Sequence, residues 1–265
     1  MGDSVLTNVE GPIATITLNR PKVLNALNAE LADNLFHELA RLENKKNVRC
    51  LIIQGNGGHF MAGGDLKSFK DELVKESDDR KRYFELFVGK VHPIIQSMRR
   101  MPKPIIASVN GAAGGFGMSL MMACDLVIAA EDTVFTMAYS NIGTSPDGSS
   151  TWFLPRIVGL RKAMELALLA ERFDANTAQN LGLINRIVTS DLLNEHVNNL
   201  AQQLANGPTQ AYANTKFLLN RSLESGLDSQ LQAEAECFAE CASTDDFKEG
   251  ILSFVEKRKA KFIGK

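Results

Sequence analysis

The chain changes architecture once along its length, and that change constrains its fold more than any other feature. Through about residue 190, short apolar runs alternate with stretches of helical period; beyond it the strand pattern stops and only helices follow. Ile13–Leu18 alternates apolar residues with Thr15 and Thr17 and then meets Asn19-Arg20-Pro21, the pattern of a half-buried strand entering a turn. Residues 50–53 and 105–109 are short apolar runs closed by Gly55-Asn56-Gly57-Gly58 and by Asn110-Gly111, and both read as buried strands ending in glycine loops. Residues 126–129 and 184–188 are further short strands. Leu31, Leu35, Leu39 and Leu42, with Phe36 beside them, predict a helix over about 29–43. Residues 83–98 share that period, and Pro93 is expected to kink or split their helix.

Strands that alternate with helices imply an α/β layer with parallel pairing, because each crossover returns the chain to the same sheet edge. From residue 191 onward, helices are expected over 192–204, 210–222, 229–242 and 247–262, broken at Gly207-Pro208 and at Gly226. We divide the chain into a core, 1–195, and a helical C-terminal region, 196–265, with no repeat, low-complexity tract or linker between them. With 45% hydrophobic and 23% charged residues, a sizeable core is available. The 29 Lys and Arg against 31 Asp and Glu exclude nucleic-acid binding driven by overall charge. The most apolar window, 114–130, is interrupted by Asp125 and crowded with glycine, so no membrane span is expected. The first eleven residues lack a basic stretch followed by an apolar one, the chain does not end in Ser-Lys-Leu, and a cytoplasmic location is the expectation. Cys50, Cys124, Cys237 and Cys241 are expected to be reduced; Cys237 and Cys241 could share a helix face, but no His stands near them and no metal site is expected.

The chemistry signals are two glycine-rich loops and one acidic turn. The loops 55–64 and 110–117 each follow an apolar strand and precede a helical pattern, a context that leaves backbone N–H groups free for an anion. The second carries neither a dinucleotide nor a triphosphate signature, which leaves an oxyanion hole or a conformational use of glycine. In the turn, Ser145-Pro146-Asp147-Gly148 is favourable β-turn chemistry by itself.

The runs Asn19-Arg20-Pro21-Lys22-Val23-Leu24-Asn25-Ala26-Leu27, His59-Phe60-Met61-Ala62-Gly63-Gly64-Asp65-Leu66 and 103–111 resemble the enoyl-CoA hydratase/isomerase (crotonase) superfamily. Cys124-Asp125-Leu126 does too, and the match reaches Phe254-Val255-Glu256-Lys257-Arg258-Lys259. The resemblance implies an α/β spiral of ββα units, a helical C-terminal region that builds homotrimers or dimers of trimers, and an acyl-CoA thioester as substrate. Coenzyme A then arrives as part of the substrate, and no other cofactor is implied. By position, the backbone N–H groups of Gly64 and Phe116 would bind the thioester oxygen. Phe116 replaces the family's usual glycine; a backbone donor tolerates the change, and the ring either shapes the pocket or fills the core beside the loop. Lys22, Val23 and Leu24 match the segment that holds the adenine end of CoA, and Ala62, Gly63, Asp65 and Leu66 match its second wall. Asp65 could equally serve as a helix N-cap.

The superfamily shares a binding site and not one reaction, so the chemistry rests on acid and base groups. Hydratases of the family use two glutamates, and the matching positions here hold Ser119 and Tyr139. Hydration is therefore not the expected activity. The stretch from Ile142 through Asp147 to Gly159 looks like the Δ3,Δ2-enoyl-CoA isomerases and the ring-1,2-epoxyphenylacetyl-CoA isomerase, which carry an acidic residue at this place. That resemblance implies Asp147 as the acid/base of a double-bond shift through a thioester enolate. His59 and His92 are the other conceivable bases. Alternatives are an aryl-CoA dehalogenase, with Asp147 as nucleophile and His92 assisting, or a crotonase homologue that has lost catalysis and binds RNA or protein.

Leu231, Ala235, Phe238 and Ala242 share one side of a helix, and Phe247, Ile251, Phe254 and Arg258 continue the spacing in the next. The resemblance places Phe254 and Lys257 at a neighbouring subunit's CoA site, Lys257 near the phosphates.

Overall fold

A strand covered on both faces has no polar side to present, and its sequence becomes an unbroken apolar run. The computed structural model, which describes residues 3–265, builds its main sheet from such strands. Among the described residues the strands are β1 (Val5–Glu10), β2 (Ile13–Leu18), β3 (Cys50–Gly55), β4 (Ile105–Val109), β5 (Ala112–Gly114), β6 (Leu126–Ala130), β7 (Val134–Thr136) and β8 (Arg186–Val188). The helices are α1 (Ala29–Glu43), α2 (Leu66–Lys70), α3 (Ser77–Arg100), α4 (Phe116–Met122), α5 (Ser150–Val158), α6 (Leu160–Leu169), α7 (Ala175–Asn180), α8 (Leu193–Ala205), α9 (Thr209–Ser222), α10 (Leu227–Ala242) and α11 (Asp245–Val255).

The large sheet runs β1-β2-β3-β4-β6-β8, with an antiparallel β1–β2 hairpin and parallel pairing from β2 onward. β5 and β7 pair in parallel in a second, small sheet. β4 enters the large sheet, β5 the small one, and α4 follows; β6 and β7 repeat the step before α5. This is the expected spiral of ββα units. Period two along β3 then separates two cores. Leu51 and Ile53 join the cluster shared with α1, α3 and α4, whereas Cys50 and Ile52 meet Leu193, Val197, Leu200 and Ala201 of α8 on the other face.

Helix α1 matches its expected span. Asn28 caps it by accepting from the Leu31 N–H at 3.0 Å, and Leu31, Leu35, Leu39 and Leu42 are fully buried. Its C-terminal carbonyls are met by Lys103, whose buried Nζ donates to Leu42 O at 2.6 Å and to Lys45 O at 2.9 Å. The lysine of the 103–111 motif is therefore structural.

Pro93 does not split the helix. α3 runs from Ser77 to Arg100 through Pro93. An interior proline removes one helix hydrogen bond at a cost of roughly 3 kcal/mol. The residue whose carbonyl loses that bond is Gly89, exposed with open space around it, and burial of Phe87, Val91, Ile94 and Met98 outweighs the loss. The last helix is also shorter than expected: α11 ends at Val255, not at 262. Lys257 adopts φ +55°, and the tail turns back so that Asp246 accepts from the N–H groups of Ile263 and Gly264 at 2.6 and 2.8 Å. Glu249 takes the Arg258 guanidinium at 2.6 Å and the Lys261 N–H at 2.8 Å. These side-chain acceptors end the helix where the spacing alone would continue it, and Arg258 leaves the helical face.

The C-terminal helices are tied to the core by charge. Asp125 Oδ2 accepts from the Ile105 N–H at 2.8 Å and from Lys216 Nζ of α9 at 2.7 Å. Arg49 donates to Thr209 Oγ1 at 2.7 Å and to the Gly207 carbonyl. Burial pushes the Asp125 carboxyl up and Lys216 opposes it, so removing the lysine strands a largely buried charge. Lys216→Met should lower stability by about 3 kcal/mol in urea unfolding, with part of the loss recovered as the medium is acidified. A change below about 1 kcal/mol would class the pair with solvent-screened surface bridges.

Candidate active site

The site is built where two loops cross, and one buried asparagine organises the first of them. Asn25, fully buried, accepts from the Arg20 N–H at 2.9 Å and donates to Asn56 O at 2.9 Å and His59 O at 2.7 Å. It thereby stitches the 19–27 segment to the glycine loop after β3. Two backbone exchanges continue the seam, Ala62 N–H to Leu24 O at 3.0 Å and Leu27 N–H to Gly63 O at 2.7 Å. Lys22 and Val23 lie in a single 3-10 turn, and Leu24 follows with φ +52°. Asp65 caps α2 through the N–H groups of Lys67 and Ser68 and pairs with Arg20 at 2.7 Å. Burial raises its pKa, but Arg20 and those backbone donors outweigh burial and hold the carboxyl below the usual carboxylate range. The Asp65 carboxylate is thus engaged in fixing the loop. Ala62, Gly63, Gly64 and Leu66 stand on the cavity wall.

The second loop lies against the first. Met61 donates to Ala112 O at 3.0 Å and accepts from the Gly114 N–H at 2.9 Å, so the two loops share backbone hydrogen bonds. Gly115 then takes φ +48° and ψ −119°, a conformation that a side chain would oppose, and α4 begins at Phe116. The backbone N–H groups of Gly64 and Phe116 donate to no described residue, and both residues line one cavity of about 1040 Å³. Two unsatisfied donors on adjacent loops can receive one polarised oxygen. The Phe116 ring is buried in the core cluster and packs beneath Gly148, where an added Cβ would lie 2.6 Å from it.

Asp147 lines the same cavity. Its Oδ1 accepts from the Tyr139 hydroxyl at 2.6 Å, while Oδ2 accepts from no described residue. Ser119 Oγ lies 3.0 Å from the Tyr139 hydroxyl and donates to Asp147 O at 3.0 Å. Burial pushes the Asp147 carboxyl up from its ordinary value, opposed by the Tyr139 hydrogen bond and by the His92 charge. Burial also pushes the Tyr139 phenol up, with the Asp147 charge adding to the shift. His92 stands on the cavity wall from α3, whereas His59 lies against Gly111.

Some of the site was not legible in the sequence. Phe69 and Phe84 line the cavity, and Phe69 meets Phe84 and Phe87 edge-to-face at 5.0 and 5.4 Å. The spacing of Phe84 and Phe87 on a helix was a signal, but it does not separate a cavity wall from ordinary core. Phe254 and Lys257 are not on this cavity; Phe254 is 85% exposed on α11.

A family model described as enoyl-CoA hydratase/isomerase matches residues 8–265. The chain belongs to that family. It is an enzyme of the crotonase superfamily, and an acyl-CoA thioester is the substrate class that membership implies. Among its relatives, the 1,2-epoxyphenylacetyl-CoA isomerase of Escherichia coli is 36% identical across the whole of both chains. The short-chain-enoyl-CoA hydratase of Clostridium acetobutylicum is 33% identical, with 97% of this chain and 96% of that one covered. A crystal structure of an enoyl-CoA hydratase from a Polaromonas species superposes with a TM-score of 0.91 at 33% identity, covering 98% of this chain and 99% of that chain. No helix of the described residues is long and apolar enough to cross a membrane.

Because Gly148 takes φ +58° and its Cβ would lie 2.6 Å from the Phe116 ring and 2.9 Å from Ser119 Cβ, Gly148→Ala should displace the Asp147 turn. We expect kcat for the enzyme's acyl-CoA substrate to fall at least ~10-fold, as it does when a group in the site is slightly misplaced, and stability to fall by about 1–3 kcal/mol, because the left-handed backbone and the overpacked Phe116 ring both oppose the methyl. Unchanged kcat would mean that the turn does not position the reacting group.

Proposed function

We propose that this enzyme shifts the double bond of a 3-enoyl-CoA to the trans-2 position, with Asp147 as its acid/base. The observation that carries the reading is a half-buried carboxylate on the wall of the cavity that also holds the free N–H groups of Gly64 and Phe116. The thioester oxygen accepts from those two donors, which favour the enolate over the ground state; one such donor contributes ~2.7–4 kcal/mol. Asp147 takes the C2 proton, the electron pair moves into the enolate, and the same carboxyl returns the proton to C4. Ala62, Gly63 and Leu66, on the cavity wall, would form one side of the CoA groove; Lys22, Val23 and Leu24 are not on that cavity but adjoin it through the Leu24–Ala62 backbone bond and would extend the groove, with Asp65 acting through Arg20 and α2.

Ser119 and Tyr139 provide no carboxylate to hold and deprotonate a water, which favours isomerisation over the hydration named for several relatives. A second reading, isomerisation of a ring-epoxyphenylacetyl-CoA, is favoured by the aromatic wall of Phe69, Phe84 and Phe87 and by the Escherichia coli relative. Both readings use the same oxyanion donors. Turnover of a panel of 3-enoyl-CoA and epoxyphenylacetyl-CoA substrates separates them.

Asp147→Ala should lower kcat by roughly 10²–10⁴ while CoA affinity stays near wild type. Since the base must be ionised and burial raises its pKa, the acid limb of the wild-type kcat profile should lie above ~3.9, the ordinary Asp value. Wild-type turnover by Asp147→Ala would sink the assignment, and robust hydration of crotonyl-CoA would overturn the reading of Ser119 and Tyr139.

Assembly is part of the same proposal. On α10 the side that packs inward is Ala233 and Cys237, while Leu231 and Phe238 are exposed together with Ile251 and Phe254 of α11. A trimer, single or doubled, would cover these faces and bring Phe254 and Lys257 to a neighbour's CoA groove. Light scattering should give a mass at a multiple of three chains, and deletion of residues 245–265 should weaken both assembly and CoA binding. A fully active monomer would end the assembly proposal and leave Asp147 untouched.

A further inference from the structure

Two buried hydroxyl groups, those of Tyr139 and Ser119, are hydrogen-bonded to Asp147 and lie within hydrogen-bond distance of each other. We propose that Tyr139, backed by Ser119, is a positioning residue that holds Asp147 Oδ1 so that Oδ2 is the one oxygen moving the proton. The proposal rests on the reading of Asp147 as the acid/base.

The assignment follows from counting protons. Tyr139 is buried and its phenol is held in the protonated form, so it meets a carboxylate only as a donor. Its single proton goes to Asp147 Oδ1 at 2.6 Å, a short bond of the charge-assisted kind. The Tyr139 oxygen is then free to accept, and Ser119 Oγ stands 3.0 Å away. Ser119, fully buried, divides its own proton between that oxygen and Asp147 O, also at 3.0 Å. The Asp147 carbonyl further accepts from Ser150 Oγ at 2.9 Å and from the Ser150 N–H at 3.2 Å. Main chain and one carboxylate oxygen are both anchored, which leaves Oδ2 without a partner.

The anchoring matters because a carboxylate has two equivalent oxygens and a soft terminal torsion. A free carboxylate can rotate after taking the C2 proton, carry it away from the substrate and lose it to solvent. With Oδ1 fixed, the proton on Oδ2 stays over the allylic system until C4 receives it. The same bond favours the ionised base against the burial that opposes it. The titratable groups that act on Asp147 are Tyr139 and, from α3, His92; Lys70, Arg80 and Lys81 share the cavity without shifting it, and α4 and α5 contribute only the neutral Ser119 and Ser150.

Tyr139→Phe removes the hydroxyl and keeps the ring. Its Asp147 carboxyl, followed by carbon-13 NMR, should titrate higher than in wild type, because the Tyr139 hydrogen bond that favours the ionised form is gone, and the acid limb of kcat should move with it. In deuterated water its 2-enoyl-CoA product should carry more solvent deuterium at C4, while KM stays near wild type. Ser119→Ala should move the titration in the same direction by less. An Asp147 titration unmoved in Tyr139→Phe overturns the proposal; if that variant does not fold, an unmoved titration in Ser119→Ala does so. A product deuterium content equal to wild type overturns it as well. If instead Asp147→Ala keeps wild-type turnover, it is the reading of Asp147 as base that fails, and the NMR titration still decides whether Tyr139 holds the carboxyl.

Discussion

The site depends on a backbone contact. Met61 is bonded through both its N–H and its carbonyl to the strand between Ala112 and Gly114, and this crossing fixes the distance between two loops that lie about fifty residues apart in sequence. Oxyanion stabilisation needs donors that do not reorganise during reaction. A pair of loops held by side chains would relax by rotamer changes, whereas a pair held by amide-to-carbonyl bonds moves only if the sheets move. The bridging place filled by Met61 also explains the crowding of glycine here: an added Cβ at Gly117 would lie 2.2 Å from Met61 O.

The charged residues of the recognisable motifs serve mostly to hold this crossing in place. Arg20 and Asp65 join the 19–27 segment to the start of α2, Lys103 closes the end of α1, and Asp125 with Lys216 ties the sheet to α9. Each is buried or half-buried and each has its partners, as a charge removed from water requires. Asp147 differs from Asp65 and Asp125 in its partner: they are paired with the cations Arg20 and Lys216, whereas its side chain accepts only from a neutral phenol and stands on the cavity wall. That contrast between carboxylates paired with a cation and one facing a cavity without one is what separates the framework from the proposed chemistry.

Elements that stabilise themselves through local pattern were legible before the structure. α1, β2, β3 and β4 follow from period and capping, and the alternation of strand with helix is enough for a parallel layer. The short strands β5 and β7 were not legible, because three residues carry no period and their only support is each other across the fold. β1 was not legible either: apolar Leu6 faces outward and polar Thr7 inward, so the alternation is blurred. Pro93 does not split α3 because propensity is local while the packing of Val91, Ile94 and Met98 is not, and the end of α11 was set by Asp246 and Glu249 reaching a tail that the spacing could not foresee.

For the site, the sequence by itself determined where the two glycine loops fall and which carboxylate stands in the acidic turn, since glycine loops and turn residues are encoded by local conformational need. Only the tertiary structure decided what each side chain does there. Asp65 is taken up by Arg20 and a helix end, the Phe116 ring goes beneath Gly148, and Tyr139 reaches Asp147 across eight residues of chain. A hydrogen bond depends on distances of a few tenths of an ångström between groups brought together by separate elements, and no spacing in the sequence specifies such a distance.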